Sequence, residues 1–402
     1  MPIVTAPNII DAVIADFART TDEVFTLEEL KRRLRSGKQL CMKYGVDVTA
    51  PNLHIGHAVN LWMYRQLQEL GHKVIFLIGD FTTQIGDPTG KNKTRPVLPL
   101  EEIQANANAF IEQAFMVLHR DEEVVDVRRN SEWLEGMNAK DLLSLLSMIT
   151  HSRLISRDMF QRRLQDQEDI YMHELIYPIL QGYDSVALES DLTIIGSDQL
   201  FNEMVGRTYQ EKFEQPAQVI ITTLITPGTD GKHKQSKSLN NYIGLGHAPR
   251  EKFGRIMSIP DLLVIQYFEV YTDLPAGELA RLRNLMTDDP FACKLLLAEK
   301  IVARYHGDEI ASQEREWFIK TFSERQAPAD APVVKLTSTN QTAFGVLRAL
   351  LDESVSNREL RRLFLQGGIR VDDLVVKNVD QILNLPATVK VGKRKWFRVE
   401  PQ

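Results

Sequence analysis

The run "QLCMKYGVDVTAPNLHIGHAVNLWMYRQLQELGHKVIFLIG", residues 39–79, decides the fold class. Its ends, "QLCMKYGV" (39–46) and "KVIFLIG" (73–79), are short and largely apolar and read as buried strands, while Gly56 to Leu70 between them has helical periodicity. Strand, helix and strand in this order form a βαβ unit with parallel strands. The turn after the first strand then lies at the carboxyl edge of a sheet, where open α/β sheets bind ligands. That turn carries "HIGH", with His54 and His57 three positions apart. A metal would need further ligands, and no cysteine or third histidine is near. A helix amino end suggests another use: its first N–H groups are unpaired and its dipole is positive, so it attracts phosphate. Thr49, His54 and His57 add side-chain donors, and Gly56 lets a nucleotide come close to the backbone. The stretch alone leaves open the plainer reading of two capping or surface histidines.

Outward from there the alternation continues from about 38 to 245, with candidate strands "EVVDV" (123–127), "LTIIG" (192–196) and "QVIITT" (218–223). Helical patterns fall near 101–119, 139–150, 172–183 and 199–210. The expected fold class is α/β, with a Rossmann-like parallel-sheet catalytic domain over 1–245. Residues 246–325 read as an α-helical domain, "QAPADAPVVKLTSTN" (326–340) as a linker, and 341–402 as a small α+β domain. A length of 402 residues suits two or three domains, and 43% hydrophobic with 25% charged residues suits a soluble protein. No apolar run approaches the roughly 18 residues of a membrane span. "MPIVTAPNIIDAVIADFART" carries acidic residues where a signal peptide is basic, so it reads as a helix of the mature protein. Cys41 and Cys293 are the only cysteines, which argues against a disulfide framework and for the cytoplasm. The net charge of −6 is uneven: residues 341–402 hold 11 Lys+Arg against 7 Asp+Glu, the rest 37 against 47. A basic tail on an acidic body suggests a polyanion held at the C-terminal end.

A second motif, "GKHKQSKSLNNYIG" (231–244), offers Lys234 and Lys237 with small hydroxyl residues between them, in a loop able to close over a triphosphate. Alone it reads equally as a solvated loop. Together, "HIGH" and "KQSKS" resemble the paired signatures of class I aminoacyl-tRNA synthetases. "KVIFLIGDFTTQIGDPTGK", "YPILQGYDSVAL" and "GSDQLFNEMVGR" are similar to the tyrosyl-tRNA synthetases, and the likeness runs from about residue 30 to the C-terminus. "SNRELRRLFLQGGIRVDD" resembles the S4 RNA-binding module of the bacterial, short form of that family.

The resemblance implies activation of L-tyrosine with ATP and Mg²⁺ and transfer to tRNA(Tyr), by a homodimer with no tightly bound cofactor and no resident metal. By the same likeness Thr49 and His54 stabilise the pyrophosphate leaving group and His57 packs at the adenine and ribose side. Lys234 and Lys237 close on the β- and γ-phosphates, and Asp47 and Asp198 orient ribose and ammonium groups. Asp87, Tyr177 and Gln181 hold the α-amino group, Asp184 accepts from the phenol, and Gln199 sits beside the carboxylate. The residues agree in part: Tyr177, Gln181 and Asp184, at i, i+4 and i+7, share one helix face. For RNA, Arg358, Arg361 and Arg362 fall at helical spacing, Arg370 follows "QGG", and Lys393, Arg394 and Lys395 sit on a closing hairpin.

Five positions depart from the usual pattern of that family. Val48 stands for the proline of Asp-Pro-Thr, and Lys43 for a tyrosine that bonds the phenol. Ile195 replaces the first glycine of "GGTDQ", Gln235 the methionine of the lysine loop, and Asn240 a glycine after it. These leave two alternatives: a paralogue that activates a tyrosine relative or hands the aminoacyl group to another acceptor, and an RNA-binding protein with an inactive nucleotide fold.

Overall fold

The computed structural model describes residues 2–88, 98–323, 331–336, 340–351, 355–372, 374–392 and 395–402. The chain divides into two compact units, Met1–Asp308 and Glu309–Gln402.

The first unit is built on a six-stranded sheet. Its strands are β1 (Thr21–Phe25), β2 (Cys41–Val46), β3 (Lys73–Ile78), β4 (Val125–Arg129), β5 (Leu192–Gly196) and β6 (Val219–Thr223), in the spatial order β1-β6-β5-β2-β3-β4. All neighbours are parallel except β1, which runs antiparallel to β6 along one edge. Every residue of β6 is buried, as are five of six in β3, because helices cover both faces of such a sheet. From β2 the chain winds outward through β3 to β4, then returns to lay β5 on the other side of β2. The crevice between the carboxyl ends of β2 and β5 is therefore the switch point where ligands are bound in doubly wound folds. The strand expected at 123–127 forms two residues later, and the helices expected over 101–119 and 139–150 end early, at Ala114 and Leu146.

The helical run after residue 245 does not stand apart from this sheet. Its helices Pro249–Met257, Val264–Tyr271, Ala276–Asp288 and Pro290–His306 belong to the same unit. Phe253, Ile256, Tyr267 and Phe268 are fully buried, and Tyr267 donates to the Pro227 carbonyl at 2.7 Å. Arg304 lies over the Trp62 ring at 4.2 Å, and Arg19 donates to the Thr272 carbonyl at 3.0 Å. Apolar burial and these contacts hold the helices in the first compact unit, which runs to Asp308.

The second unit holds β7 (Val333–Leu336), β8 (Asn340–Thr342), β9 (Ile369–Val371), β10 (Leu374–Val375), β11 (Ile382–Asn384), β12 (Ala387–Val391) and β13 (Lys395–Pro401). Five form one sheet, β10-β9-β12-β13-β7, and β11 pairs with β8. Val346, Leu347, Leu360, Phe364, Val389 and Val399 make its core with the helices Ala343–Leu350 and Asn357–Leu365. Part of the segment expected as linker is thus folded: Val333–Leu336 pairs in parallel with Arg398–Pro401. Among the described residues no helix is long and apolar enough to cross a membrane.

Candidate active site

At the β2/β5 crevice lies a cavity of about 680 Å³. It is lined by the candidate site residues that the resemblance implied in the first unit: Lys43, Asp47, Thr49, His54, Gly56, His57, Asp87, Tyr177, Gln181, Asp184, Asp198, Gln199, Lys234 and Lys237.

The two histidines do cap a helix, and that is what arms them. His54 is the N-cap of the helix Ile55–Glu69; its Nδ1 accepts from Gly56 N at 3.2 Å, and His57 Nδ1 accepts from His54 N at 3.2 Å. An imidazole whose Nδ1 accepts, when neutral, carries its proton on Nε2. Burial and then the neighbouring charges hold both rings neutral: His57 is lowered to about 4, and His54 is pushed well below its ordinary value by burial and by His57. The pair thus offers two uncharged N–H donors beside the positive end of a helix. Their rings lie 3.8 Å apart, and a Cβ on Gly56 would come within 2.9 Å of the His54 ring, so any larger residue there would displace that ring.

The lysine loop is tied to this cap by backbone. Ile55 N donates to Ile243 O and Leu245 N to Leu53 O, both at 2.9 Å, so the segment after the loop is stitched to "LHI". Asn241 shapes the loop from inside: its Oδ1 accepts from Ser236 N at 2.7 Å and its Nδ2 donates to Lys234 O at 3.2 Å. Gln235 fastens it outward, donating to Tyr271 Oη at 2.8 Å while accepting from Ile243 N at 3.1 Å. Lys234 pairs with Asp198 at 2.9 Å, and Lys237 donates to Ala50 O at 3.2 Å with its ammonium 4.9 Å from the Phe110 ring centre.

At the other end, Tyr177, Gln181 and Asp184 line the cavity from one face of the helix Met172–Ala187. Tyr177 donates to Asp47 at 3.0 Å, and Thr82 donates to the other oxygen of Asp47 at 2.8 Å. Asp47, which the resemblance assigns with Asp198 to ribose and ammonium groups, is therefore held by Tyr177 and Thr82. Asp184 accepts from Trp133 Nε1 at 2.9 Å and from Asn130 Nδ2 at 3.4 Å. Burial raises its carboxyl to about 7 against the opposing pull of Lys43 and these donors. Gln199 donates to Asp87 at 2.8 Å. Lys43 is buried in an ion pair with Glu203 at 2.9 Å.

Sequence reading missed Glu203, Asn202, Asn130, Trp133, Thr82 and Tyr271. Glu203 alone left a signal, a carboxylate four residues after Gln199 on the same helix face. Three departures from the family pattern have local explanations. Val48 is fully buried and its N–H, which a proline lacks, donates to Thr83 Oγ1 at 2.9 Å. Asn240 has φ +50°, the left-handed region that asparagine enters more readily than most residues. Gln235 makes the two bonds just given. Nothing in the structure explains Ile195.

In the second unit, Arg358, Arg361 and Arg362 are exposed on the helix Asn357–Leu365, with Arg361 over the Phe344 ring at 5.1 Å and Arg362 paired with Glu359 at 3.4 Å. Arg370 on β9 stands opposite Lys390 on β12, and Lys395 opens β13. Lys393 and Arg394 lie outside the described residues.

Residues 35–323 match the family model of tRNA synthetases class I (W and Y). The chain is 42% identical over 381 residues to the tyrosine–tRNA ligase of Aquifex aeolicus, covering 94% of this chain and 96% of that protein. It is 39% identical over 409 residues to that of Carboxydothermus hydrogenoformans, covering 99% of each. Its fold is similar to the C-terminally truncated mitochondrial tyrosyl-tRNA synthetase of Aspergillus nidulans, with a TM-score of 0.64 at 21% identity over 79% of this chain and 97% of that one. The chain belongs to the class I tRNA synthetases of the tryptophan and tyrosine group.

Proposed function

We propose that this chain is a tyrosine–tRNA ligase, joining L-tyrosine to ATP as tyrosyl-adenylate and then passing the tyrosyl group to the 3′ end of tRNA(Tyr). One observation carries the reading: a single cavity has neutral imidazole donors and two lysines at one end and the buried acceptor Asp184 at the other. The relatives named as tyrosine–tRNA ligases over nearly the whole chain support it. In the first step the tyrosine carboxylate attacks the α-phosphate in line and pyrophosphate leaves. Charge grows on phosphate oxygens, so catalysis is positioning and charge stabilisation, with no general base required.

In this reading His54 and Thr49 donate to the departing pyrophosphate, His57 packs at the adenine and ribose side, and Lys234 and Lys237 leave Asp198 and Ala50 to close on the β- and γ-phosphates. Mg²⁺ enters with ATP, held mainly by phosphate oxygens. Asp184 selects the phenol, because phenylalanine would leave a buried acceptor without its partner. The exposed arginines of the second unit and Lys395 suit RNA phosphates. A homodimer is supported by Leu143, Leu164, Tyr171 and Met172, apolar and exposed around three helices of the catalytic unit, and the cytoplasm by the translation chemistry itself. ATP–pyrophosphate exchange run with each amino acid tests the assignment. Tyrosine-dependent exchange is expected; exchange with tryptophan only, or with none, would overturn it.

A further inference from the structure

Glu203 is a buried carboxylate with four N–H contacts. Oε1 accepts from Lys43 at 3.0 Å and Gln181 Nε2 at 2.9 Å, while Oε2 lies 2.9 Å from Lys43 and accepts from Gln218 at 2.8 Å. Ion-paired with Lys43, it can only accept, so the Gln181 amide must turn its nitrogen toward it and its oxygen away. On that far side Asn202 Nδ2 donates to Gln181 Oε1 at 2.7 Å and to Gln199 Oε1 at 3.0 Å. Gln199 turns its own nitrogen to Asp87. The carboxamides therefore form a directed chain, with a carboxylate at each end and a two-handed donor in the middle. Reversing any member would set donor against donor or oxygen against oxygen.

We propose that Glu203 is a positioning residue for the amino-acid substrate: by fixing the polarity of the Gln181 amide, it aims that oxygen, which keeps one lone pair, at the substrate's α-ammonium group. Lys43 supplies the counter-charge to Glu203 in a buried place, 2.9 Å away. The proposal rests on the reading of the cavity as an amino-acid site, and it makes the Lys43–Glu203 pair a determinant of amine recognition rather than of phenol recognition.

The test compares two ligands that differ only in the amine, tyrosine and 3-(4-hydroxyphenyl)propionate. The double variant Lys43→Met/Glu203→Leu removes both charges together, which is gentler on folding than removing one; Glu203→Gln is the second variant. Tyrosine KM in ATP–pyrophosphate exchange should rise about tenfold in the double variant, the size of a lost hydrogen bond to a charged group. The inhibition constant of the amine-less analogue should move less than about twofold by the same reasoning, and Glu203→Gln should shift the ratio in the same direction. Equal weakening of both ligands, or an unchanged tyrosine KM in the folded variants, overturns the proposal. A wild-type protein without tyrosine-dependent exchange overturns the reading of the cavity itself, and is told apart because it needs no variant.

Discussion

A carboxylate taken out of water is held at a cost unless a cation answers it, and at Asp184 the nearest ammonium is already paired with Glu203. Burial therefore raises the Asp184 carboxyl to about 7, which fixes the sign of a pH effect. Between the unfolded carboxylate range and 7 the folded state holds a proton the unfolded chain has lost, so stability falls as pH rises through that window and levels off above it. Asp184→Asn should abolish this slope and be more stable than wild type at pH 8 by up to roughly 4 kcal/mol, with little difference at pH 4; thermal melts at the two pH values check it. On function, Asp184→Ala should lower the tyrosine-to-phenylalanine ratio of kcat/KM by at least about tenfold, since no acceptor is then left unpaired by phenylalanine. Rejection of phenylalanine by tyrosyl enzymes is itself the reference case for this kind of selectivity, so the tenfold figure rests only on the cost of one unpaired buried acceptor. Asp184 was legible because i, i+4, i+7 polar residues on one helix face need a pocket to face. Asn130 and Trp133, which hold it, were not: they reach it from the N-cap and the body of the short helix Ser131–Leu134 after β4, a meeting that no local pattern encodes.

At the scale of elements, the lysine loop owes its place to two neighbours, the 53–55 strip by backbone and the helix Val264–Tyr271 through Gln235 and Tyr271. Tyr271 Oη also bonds Thr226, so the latch joins the loop, that helix and the end of the sheet. Tyr271→Phe should raise KM for ATP several-fold and slow adenylate formation about tenfold while leaving KM for tyrosine within about twofold, because the latch positions groups that meet phosphate. Stopped-flow adenylate formation at varied ATP and varied tyrosine separates the two; a parallel rise in both KM values would make Tyr271 a general packing residue. The strands β3, β5 and β6 were readable as apolar runs, since a strand buried on both faces leaves its composition no choice. The edge strand β1 was not: "TDEVF" is polar and half exposed, and pairs with β6 only because the sheet has a free edge there. The single-turn helices near residues 131–155 were equally silent, being too short for a period to show.

For the whole molecule, the chain divides into Met1–Asp308, which holds the cavity, and Glu309–Gln402, a compact basic unit. A chain ending at residue 323 should form tyrosyl-adenylate at close to the full-length rate and charge tRNA at least about tenfold less well, with a flatter salt dependence because fewer phosphate contacts release counterions. Aminoacylation of both proteins across a salt series measures this, and equal slopes would remove the second unit from RNA binding. The tail was legible from its charge; the packing of the helical run into one compact unit with the sheet was not, because an all-helical run looks independent until its buried faces are matched to a sheet. The stitch between residues 53–55 and 243–245 has a wider meaning. It closes the intervening chain, with four of the six strands of the sheet, into a ring with a hydrogen-bonded neck, and both sequence motifs lie beside that neck. Insertions or deletions at surface turns of the ring change the number of residues between the two motifs without changing the distance across the neck. Motif separation along the sequence is thus free to drift, and a search that fixes that count tracks a quantity the fold does not constrain.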